Sequence, residues 1–152
     1  MKPAQRIVLI DDSETDNIFH EMVLSTADFD GDLKIFESQT QAIAYLKAQP
    51  DGPVDLVFLD VNMPAMDGWA VLDTLRDHLP QWPNTRVIML TSSSAPEDLA
   101  RAQAIPGVTG YVTKPLEPEL ARKIINGELV EGVWKCQEGD RWAPIQTKNI
   151  AL

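Results

Sequence analysis

The sequence predicts an α/β domain built around a parallel β-sheet, from three observations. Short, nearly continuous apolar runs at 7–10, 54–59 and 87–90 are typical of parallel strands that are covered on both faces. Amphipathic segments alternate with these runs, which is the pattern of βαβ units. The chain has 152 residues, of which 44% are hydrophobic, so it can bury one full core but not a second independent one. We therefore expect one domain of five strands and five helices, followed by a short tail.

Capping residues and apolar periodicity place the first two strand and helix pairs. Strand one covers 7–10, and Ser13 then caps a helix with acidic residues in its first turn. Spacings of three and four predict the apolar face that this helix buries. That face consists of Ile18, Met22 and Thr26, with Phe19 and Val23 beside them. Strand two at 33–36 leads to a helix at 40–48, which ends at the turn 50–53.

The remaining elements follow the same alternation. Strand three covers 54–59, and helix three begins at 67–68 and ends where Pro80 follows Leu79. Its predicted buried side chains are Leu72, Leu75 and Leu79. Strand four covers 87–90, and Pro96 begins a short helix that closes at 106–107. Strand five covers 111–113, and the last helix stops at 126–127.

Polar side chains follow four of the predicted strands. They are Asp11 and Asp12 after the first strand, Asp60 after the third, Thr91 and Ser92 after the fourth, and Lys114 after the fifth. Open α/β sheets bind ligands in the crevice outside the carboxyl ends of their strands, which lie at one edge. We therefore expect three carboxylates, a hydroxyl and an ammonium in a single site.

The chemistry of this predicted site indicates a divalent cation and a phosphoryl group. Three carboxylates repel one another, and a hard cation relieves that repulsion. Mg²⁺ prefers oxygen ligands and is usually held by one or two carboxylates together with phosphate oxygens; Mn²⁺ is the alternative. Lys114 supplies a charge for a phosphate oxygen, and Thr91 supplies a hydroxyl donor. Asp60 is a carboxylate able to form an aspartyl phosphate.

Four motifs, in this order, resemble the receiver domain of two-component response regulators. They are LIDDS at 9–13, LDVNMPAMDG at 59–68, LTS at 90–92 and GYVTKP at 110–115. The resemblance covers roughly residues 5–127, and we assign 1–127 to a receiver domain. It implies a CheY-like, flavodoxin-like (βα)5 fold with strand order 2-1-3-4-5.

The resemblance also implies roles for residues at the strand ends. Asp60 is the phosphoacceptor, and Mg²⁺ is held by Asp12, Asp60 and the main-chain carbonyl of Asn62. Asp11 acts on the metal largely through a bound water. Asn62 and Ser93 occupy positions that tune the lifetime of the phosphoaspartate.

A switch that responds to phosphorylation is implied in the same way. Lys114 pairs with the phosphoryl group, and Thr91 moves toward it while the small Ser92 leaves room. Tyr111 then changes rotamer and reshapes the surface formed by helix four, strand five and helix five. The resemblance also implies a cis peptide bond before Pro115.

The function that these expectations describe is a single-domain response regulator. A sensor histidine kinase or a histidine phosphotransfer protein would donate the phosphoryl group, and the regulator would bind an output protein or act in a phosphorelay. It would catalyse only its own phosphorylation and dephosphorylation, and would not be an enzyme with a separate substrate. One alternative is a haloacid-dehalogenase-type phosphatase or phosphotransferase, although that family uses an Asp-x-Asp pair after its first strand. A receiver-shaped scaffold that is never phosphorylated is the other.

Composition and charge exclude several other classes. The net charge of −10 and the lack of a basic stretch argue against direct nucleic-acid binding. The apolar run at 7–10 is too short for a signal peptide or a membrane span, so we expect a cytoplasmic protein. Cys136 is the chain's one cysteine and has no partner for an internal disulfide. His20 and His78 are interpreted as surface or capping residues.

The tail at 128–152 lies beyond the resemblance and is rich in apolar residues. Trp134 and Trp142 flank the turn-forming residues 138–140, which is compatible with a small hairpin, although Pro144 limits it to an edge. One interpretation is that this extension packs back on the domain. The other is that it mediates self-association as a homodimer, or docks a partner.

Overall fold

The computed structural model describes residues 3–128 and contains five strands and five helices. The strands are β1 (Arg6–Ile10), β2 (Asp32–Phe36), β3 (Leu56–Leu59), β4 (Arg86–Thr91) and β5 (Val108–Thr113). The helices are α1 (Glu14–Thr26), α2 (Gln39–Ala48), α3 (Gly68–Thr74), α4 (Pro96–Ala104) and α5 (Pro118–Ile125). The hairpin predicted within 128–152 falls, from residue 129 onward, outside the described residues.

All five strands are parallel and form one sheet in the order β2-β1-β3-β4-β5, so the predicted fold is confirmed. The chain runs from β1 outward to β2 and then crosses back to β3 on the other side. This reversal places the ends of β1 and β3 next to each other, with Ile10 opposite Leu59. Ligands of open α/β sheets bind at such a reversal.

Two hydrophobic layers cover the sheet because successive strand residues point to opposite faces. Ile7 and Leu9 of β1 pack into the layer that contains α1 and α5. Val8 and Ile10 pack into the layer that contains α2, α3 and α4. Burial on both faces explains why these strands read as continuous apolar runs.

The buried face predicted for α1 is largely wrong. Ile18, Phe19 and Met22 are 53%, 46% and 63% exposed, and Val23 is the one member of the predicted face that is buried. Besides Val23, the helix buries Asn17, His20 and Leu24, so the interpretation of His20 as a surface or capping residue is wrong. Asn17 and His20 are polar, and each forms a hydrogen bond with a backbone group outside the helix. A rule based on apolar periodicity does not predict the burial of such residues. The Asn17 side-chain amide donates to the Asp11 carbonyl oxygen at 2.8 Å, and the Leu116 amide donates to His20 Nε2 at 3.4 Å.

Helix three is shorter than the prediction, which extended it to Leu79. It ends at Thr74, with Leu75 as its C-cap, and Leu79 begins a separate 3₁₀ turn, Leu79–Gln81. Between the two elements the backbone bonds shift to i→i−3, from the Arg76 amide to the Asp73 carbonyl oxygen at 3.3 Å and from the His78 amide to the Leu75 carbonyl oxygen at 2.9 Å. Pro80 has no amide hydrogen with which to continue an α-helix. The three predicted leucines are nevertheless all buried.

Candidate functional site

Three carboxylates meet where β1 and β3 end. The Asp60 amide donates to the Ile10 carbonyl oxygen at 3.0 Å, so the β1 and β3 ladder continues up to the first acidic residues. Each of Asp11, Asp12 and Asp60 offers one carboxylate oxygen, and these oxygens all lie within 4.8 Å of one another. Asp11 and Asp60 are buried and Asp12 is partly exposed. The sheet topology therefore gathers the acidic residues predicted from sequence.

Backbone amides donate hydrogen bonds to two of these carboxylates. Asp11 Oδ1 accepts from the Ser13 amide at 2.9 Å, and Asp60 Oδ1 accepts from the Asn62 amide at 3.3 Å. Gly68 lies against this loop, because its amide donates to the Val61 carbonyl oxygen at 2.9 Å. The Asp60 side chain is thus held between a buried strand and the start of α3.

The Lys114 ammonium joins the carboxylates from the end of β5. The Lys114 amide donates to the Thr91 carbonyl oxygen at 2.8 Å, which extends the pairing of β4 and β5 beyond Thr113. Lys114 Nζ lies 2.6 Å from Asp11 Oδ2 and 3.3 Å from Asp60 Oδ2. The following peptide bond, Lys114-Pro115, is cis.

Asp16 also contacts this ammonium, a role that the sequence interpretation missed. Its Oδ2 lies 2.7 Å from Lys114 Nζ. From sequence, Asp16 is only one of the two acidic residues in the first turn of α1. The topology itself offers a signal, since α1 and α5 pack on the same face and bring the loop after β1 beside the loop after β5. A long cation at the end of β5 can then reach the first turn of α1.

Burial and neighbouring charges shift the pKa values of Asp60 and Lys114. Burial raises the pKa of the Asp60 carboxyl, and the positive charge of Lys114 opposes that shift. Burial alone would lower the pKa of Lys114, but hydrogen bonds to Asp11 and Asp16 outweigh it and raise the pKa above its usual value. Lys114 is therefore a permanent cation in the folded protein.

The remaining predicted residues lie in the loops after β3 and β4. Thr91 is fully buried, and its hydroxyl oxygen accepts from the Ser93 amide at 3.2 Å and from the Asn62 side-chain amide at 3.5 Å. Asn62 and Ser92 are exposed. Tyr111 is buried, and its hydroxyl donates to the Ser93 carbonyl oxygen at 2.7 Å. Ser93 therefore connects Thr91 with Tyr111.

The oxygen donors are suited to a hard divalent cation. Carboxylate oxygens are the ligands that Mg²⁺ and Mn²⁺ take, and here three of them converge beside the exposed edge of the sheet. Asp12 is partly exposed and Asn62 is exposed, so solvent reaches these two residues of the site. Among residues 3–128, no helix has both the length and the apolar content needed to cross a bilayer.

Comparisons with known proteins agree with this geometry. The family model described as response regulator receiver domain matches residues 7–126. Response regulator Rcp1 of Synechocystis is 29% identical over 136 residues, which cover 87% of this chain and 90% of Rcp1. The rice two-component response regulator ORR1 is a longer relative that is 26% identical to this chain. The match covers 80% of this chain but only 54% of ORR1.

Solved structures give the same picture. The Mn²⁺-bound form of response regulator Rcp1 superposes with a TM-score of 0.63 at 29% identity, over 81% of this chain and 90% of Rcp1. The bacteriophytochrome response regulator AtBRR superposes with a TM-score of 0.67 at 27% identity, over 84% of this chain and 95% of AtBRR.

Proposed function

The chain belongs to the response regulator receiver domain family, and from this premise we propose that it accepts a phosphoryl group on the Asp60 carboxylate. The donor is a sensor histidine kinase or a histidine phosphotransfer protein. Because AtBRR is named as a bacteriophytochrome response regulator, a phytochrome-type histidine kinase is the donor class to test first. The phosphorylated protein binds an output protein or passes the group on in a phosphorelay, and a cytoplasmic location is part of the same proposal.

One observation carries this proposal: the Asp60 carboxylate lies beside both a fixed ammonium and two further carboxylates. An Asp60 oxygen attacks phosphorus, so that a new O–P bond forms while the N–P bond of the donor phosphohistidine breaks. The donor imidazole leaves and takes up a proton. Lys114, 3.3 Å from Asp60 Oδ2, binds an oxygen of the transferred group and offsets its negative charge.

A divalent cation fits the same residues. Asp11, Asp12, Asp60 and the carbonyl oxygen of Asn62 would hold Mg²⁺ or Mn²⁺, and Mn²⁺ occupies the Rcp1 structure named above. Such an ion supplies positive charge between the carboxylates and the phosphoryl oxygens. The protein's own contribution is to hold Asp60 rigid through the Asn62 amide and to bury the Asp11 carboxylate against Lys114.

The loops after β3 and β4 respond to the phosphoryl group in this proposal. The Thr91 hydroxyl turns to donate to a phosphoryl oxygen, beside which Ser92 leaves space. That rotation removes the acceptor of the Ser93 amide, and Ser93 also holds the Tyr111 hydroxyl. The conformational change is driven by the better binding of phosphate in the new arrangement. Asn62 and Ser93 face the attacking water and set the lifetime of the phosphoaspartate.

In this proposed function the protein acts on no separate substrate. The phosphoacceptor follows β3, and Asn62 stands two residues later, which differs from the Asp-x-Asp arrangement expected of a haloacid-dehalogenase-type phosphatase. The protein thus catalyses only its own phosphorylation and dephosphorylation. A scaffold that never accepts phosphate remains as an outcome of the experiment below.

Intact mass measurement after incubation with acetyl phosphate and Mg²⁺ tests the proposal. The wild type should gain the mass of one phosphoryl group, and Asp60→Asn should gain none. Asp77→Asn, the same substitution at an exposed position, is the matched control and should behave as wild type. Equal uptake by wild type and Asp60→Asn would refute the acceptor, and no uptake by wild type would favour the scaffold.

A further inference from the structure

Resting on the proposed function, we propose that Asp16 is a positioning residue that holds the Lys114 ammonium back from the phosphoryl group on Asp60. Nothing in the receiver motifs of this chain points to residue 16. The proposal comes from the contacts of a single nitrogen atom, Lys114 Nζ, with three carboxylates.

The hydrogen-bonding capacity of this ammonium is fully used. A lysine ammonium has three N–H donors and no acceptor. Its three carboxylate contacts are at 2.6 Å to Asp11, 2.7 Å to Asp16 and 3.3 Å to Asp60. The contact to the phosphoacceptor is the longest of the three, so the ammonium is drawn toward Asp11 and Asp16. A phosphoryl oxygen can gain a full hydrogen bond from Lys114 only if one of these contacts weakens.

Asp16 is the carboxylate that can release the ammonium. Its side chain is 41% exposed, whereas those of Asp11 and Asp60 are 2% and 6% exposed. Water can therefore replace the ammonium at Asp16. Loss of the ammonium from Asp11 would instead leave a buried carboxylate without its partner. Asp16 is also outside the group of three carboxylates that could hold a cation.

The position of Asp16 is fixed by the start of α1. Its amide donates to the Ser13 hydroxyl oxygen at 3.2 Å, in the N-cap of the helix. This bond fixes the backbone of Asp16, from which the side chain reaches Lys114 Nζ at the end of β5. A phosphoryl group carries negative charge, so Asp16 both repels it and competes with it for the same cation. Both effects have the same sign and weaken the binding of an anion at Asp60.

Beryllofluoride, a phosphoryl analogue that binds aspartate, is the probe for this competition. Binding would be followed by ¹⁹F NMR in saturating Mg²⁺ for wild type, Asp16→Asn and Glu14→Gln. Asp16→Asn should bind beryllofluoride about threefold to tenfold more tightly than wild type, because a repulsive charge and a competing acceptor are both lost. Glu14→Gln removes the same charge from the same helix turn at an exposed position, and should differ little from wild type.

Lys114→Met, alone and combined with Asp16→Asn, separates positioning from a general charge effect. If Asp16 acts through the lysine, most of the gain from Asp16→Asn should vanish in the Lys114→Met background. An undiminished gain there, an equal gain in Glu14→Gln, or no gain in Asp16→Asn would each overturn the role of Asp16. Failure of the wild type to bind beryllofluoride would instead count against the proposed function itself.

Discussion

The Tyr111 hydroxyl donates a 2.7 Å hydrogen bond to the Ser93 carbonyl oxygen, and this contact joins β5 to the loop after β4. Ser93 makes three further hydrogen bonds. Its amide donates to the Thr91 hydroxyl oxygen at 3.2 Å, its hydroxyl donates to the Asp98 carboxylate, and its hydroxyl oxygen accepts from the Ala95 amide at 3.3 Å. One serine therefore links the end of β4, the buried face of β5 and the first turn of α4. A movement of the Thr91 hydroxyl would remove the acceptor of the Ser93 amide, and we expect it to affect both elements that Ser93 contacts.

Tyr111→Phe should destabilise the protein and loosen this loop. The ring still fills its buried position, but the Ser93 carbonyl oxygen loses its donor, at a cost of about 1 kcal/mol in the free energy of unfolding. Denaturant unfolding measures the cost, and hydrogen exchange should show faster exchange at residues 93–98. Tyr45→Phe is the control, because its hydroxyl bonds Asp51 at an exposed site and should cost less. A larger cost for Tyr45→Phe would contradict the structural role of Tyr111.

Gly68→Ala should displace the phosphoacceptor loop. A Cβ at this position would lie 2.3 Å from the Asp60 carbonyl oxygen, so the backbone of Asp60 or the start of α3 must move. We expect a loss of about 1–3 kcal/mol in the free energy of unfolding, together with slower phosphoryl uptake from acetyl phosphate. Denaturant unfolding and intact mass measure the two effects.

Ala65→Gly is the opposite substitution in the same loop and serves as the control for Gly68→Ala. Ala65 has a φ of 67°, a conformation that glycine adopts without steric cost. This variant should keep its stability within about 1 kcal/mol of wild type and should take up phosphoryl groups normally. If Gly68→Ala is as stable and as readily phosphorylated, the close approach to Asp60 has no consequence.

The strands and most of the strand-end cluster could be predicted because burial on both faces leaves a clear record in sequence. The apolar runs fix where each strand ends, and parallel topology then brings Asp11, Asp60 and Lys114 to one edge. The face of α1 could not be predicted in this way. There, Asn17 and His20 are buried because they bond backbone groups of other segments, and such partners are known only once the fold is assembled.

The contact of Asp16 with Lys114 could not be predicted from sequence, for a related reason. This contact joins residues 98 positions apart in the chain, and it depends on the packing of α1 beside the start of α5. A first-turn acidic residue is already explained by its favourable interaction with the helix dipole. Local capping rules thus provide a sufficient account of Asp16 without revealing its tertiary role.

Asp12→Asn should weaken the binding of a divalent cation. The substitution removes one of three converging carboxylate charges without changing the size of the side chain. We expect the dissociation constant for Mn²⁺ to rise roughly tenfold or more, measured by isothermal titration calorimetry at constant pH. Glu14→Gln removes a charge two residues away, outside the cluster, and should change the constant little. Similar weakening by both substitutions would indicate a general charge effect instead of a ligand role.

His20 should make the stability of the protein depend on pH. Burial, followed by the positive charge of Lys114, lowers the pKa of His20 below its ordinary value of 6.5. The neutral imidazole accepts a hydrogen bond at Nε2 from the Leu116 amide, and a protonated ring could not accept it. Between the lowered pKa of the folded state and 6.5, the unfolded chain therefore binds a proton at His20 that the folded protein does not. The free energy of unfolding should fall as the pH is lowered through this region.

Denaturant unfolding of wild type and His20→Gln between pH 7.5 and 5.5 measures this contribution. The wild type should lose stability more steeply than the variant as the pH falls, by at most about 1.4 kcal/mol per pH unit, the limit for one proton. Glutamine keeps an acceptor near the Leu116 amide but does not titrate. If the wild type and His20→Gln lose stability in parallel, His20 is not the group whose protonation opposes folding.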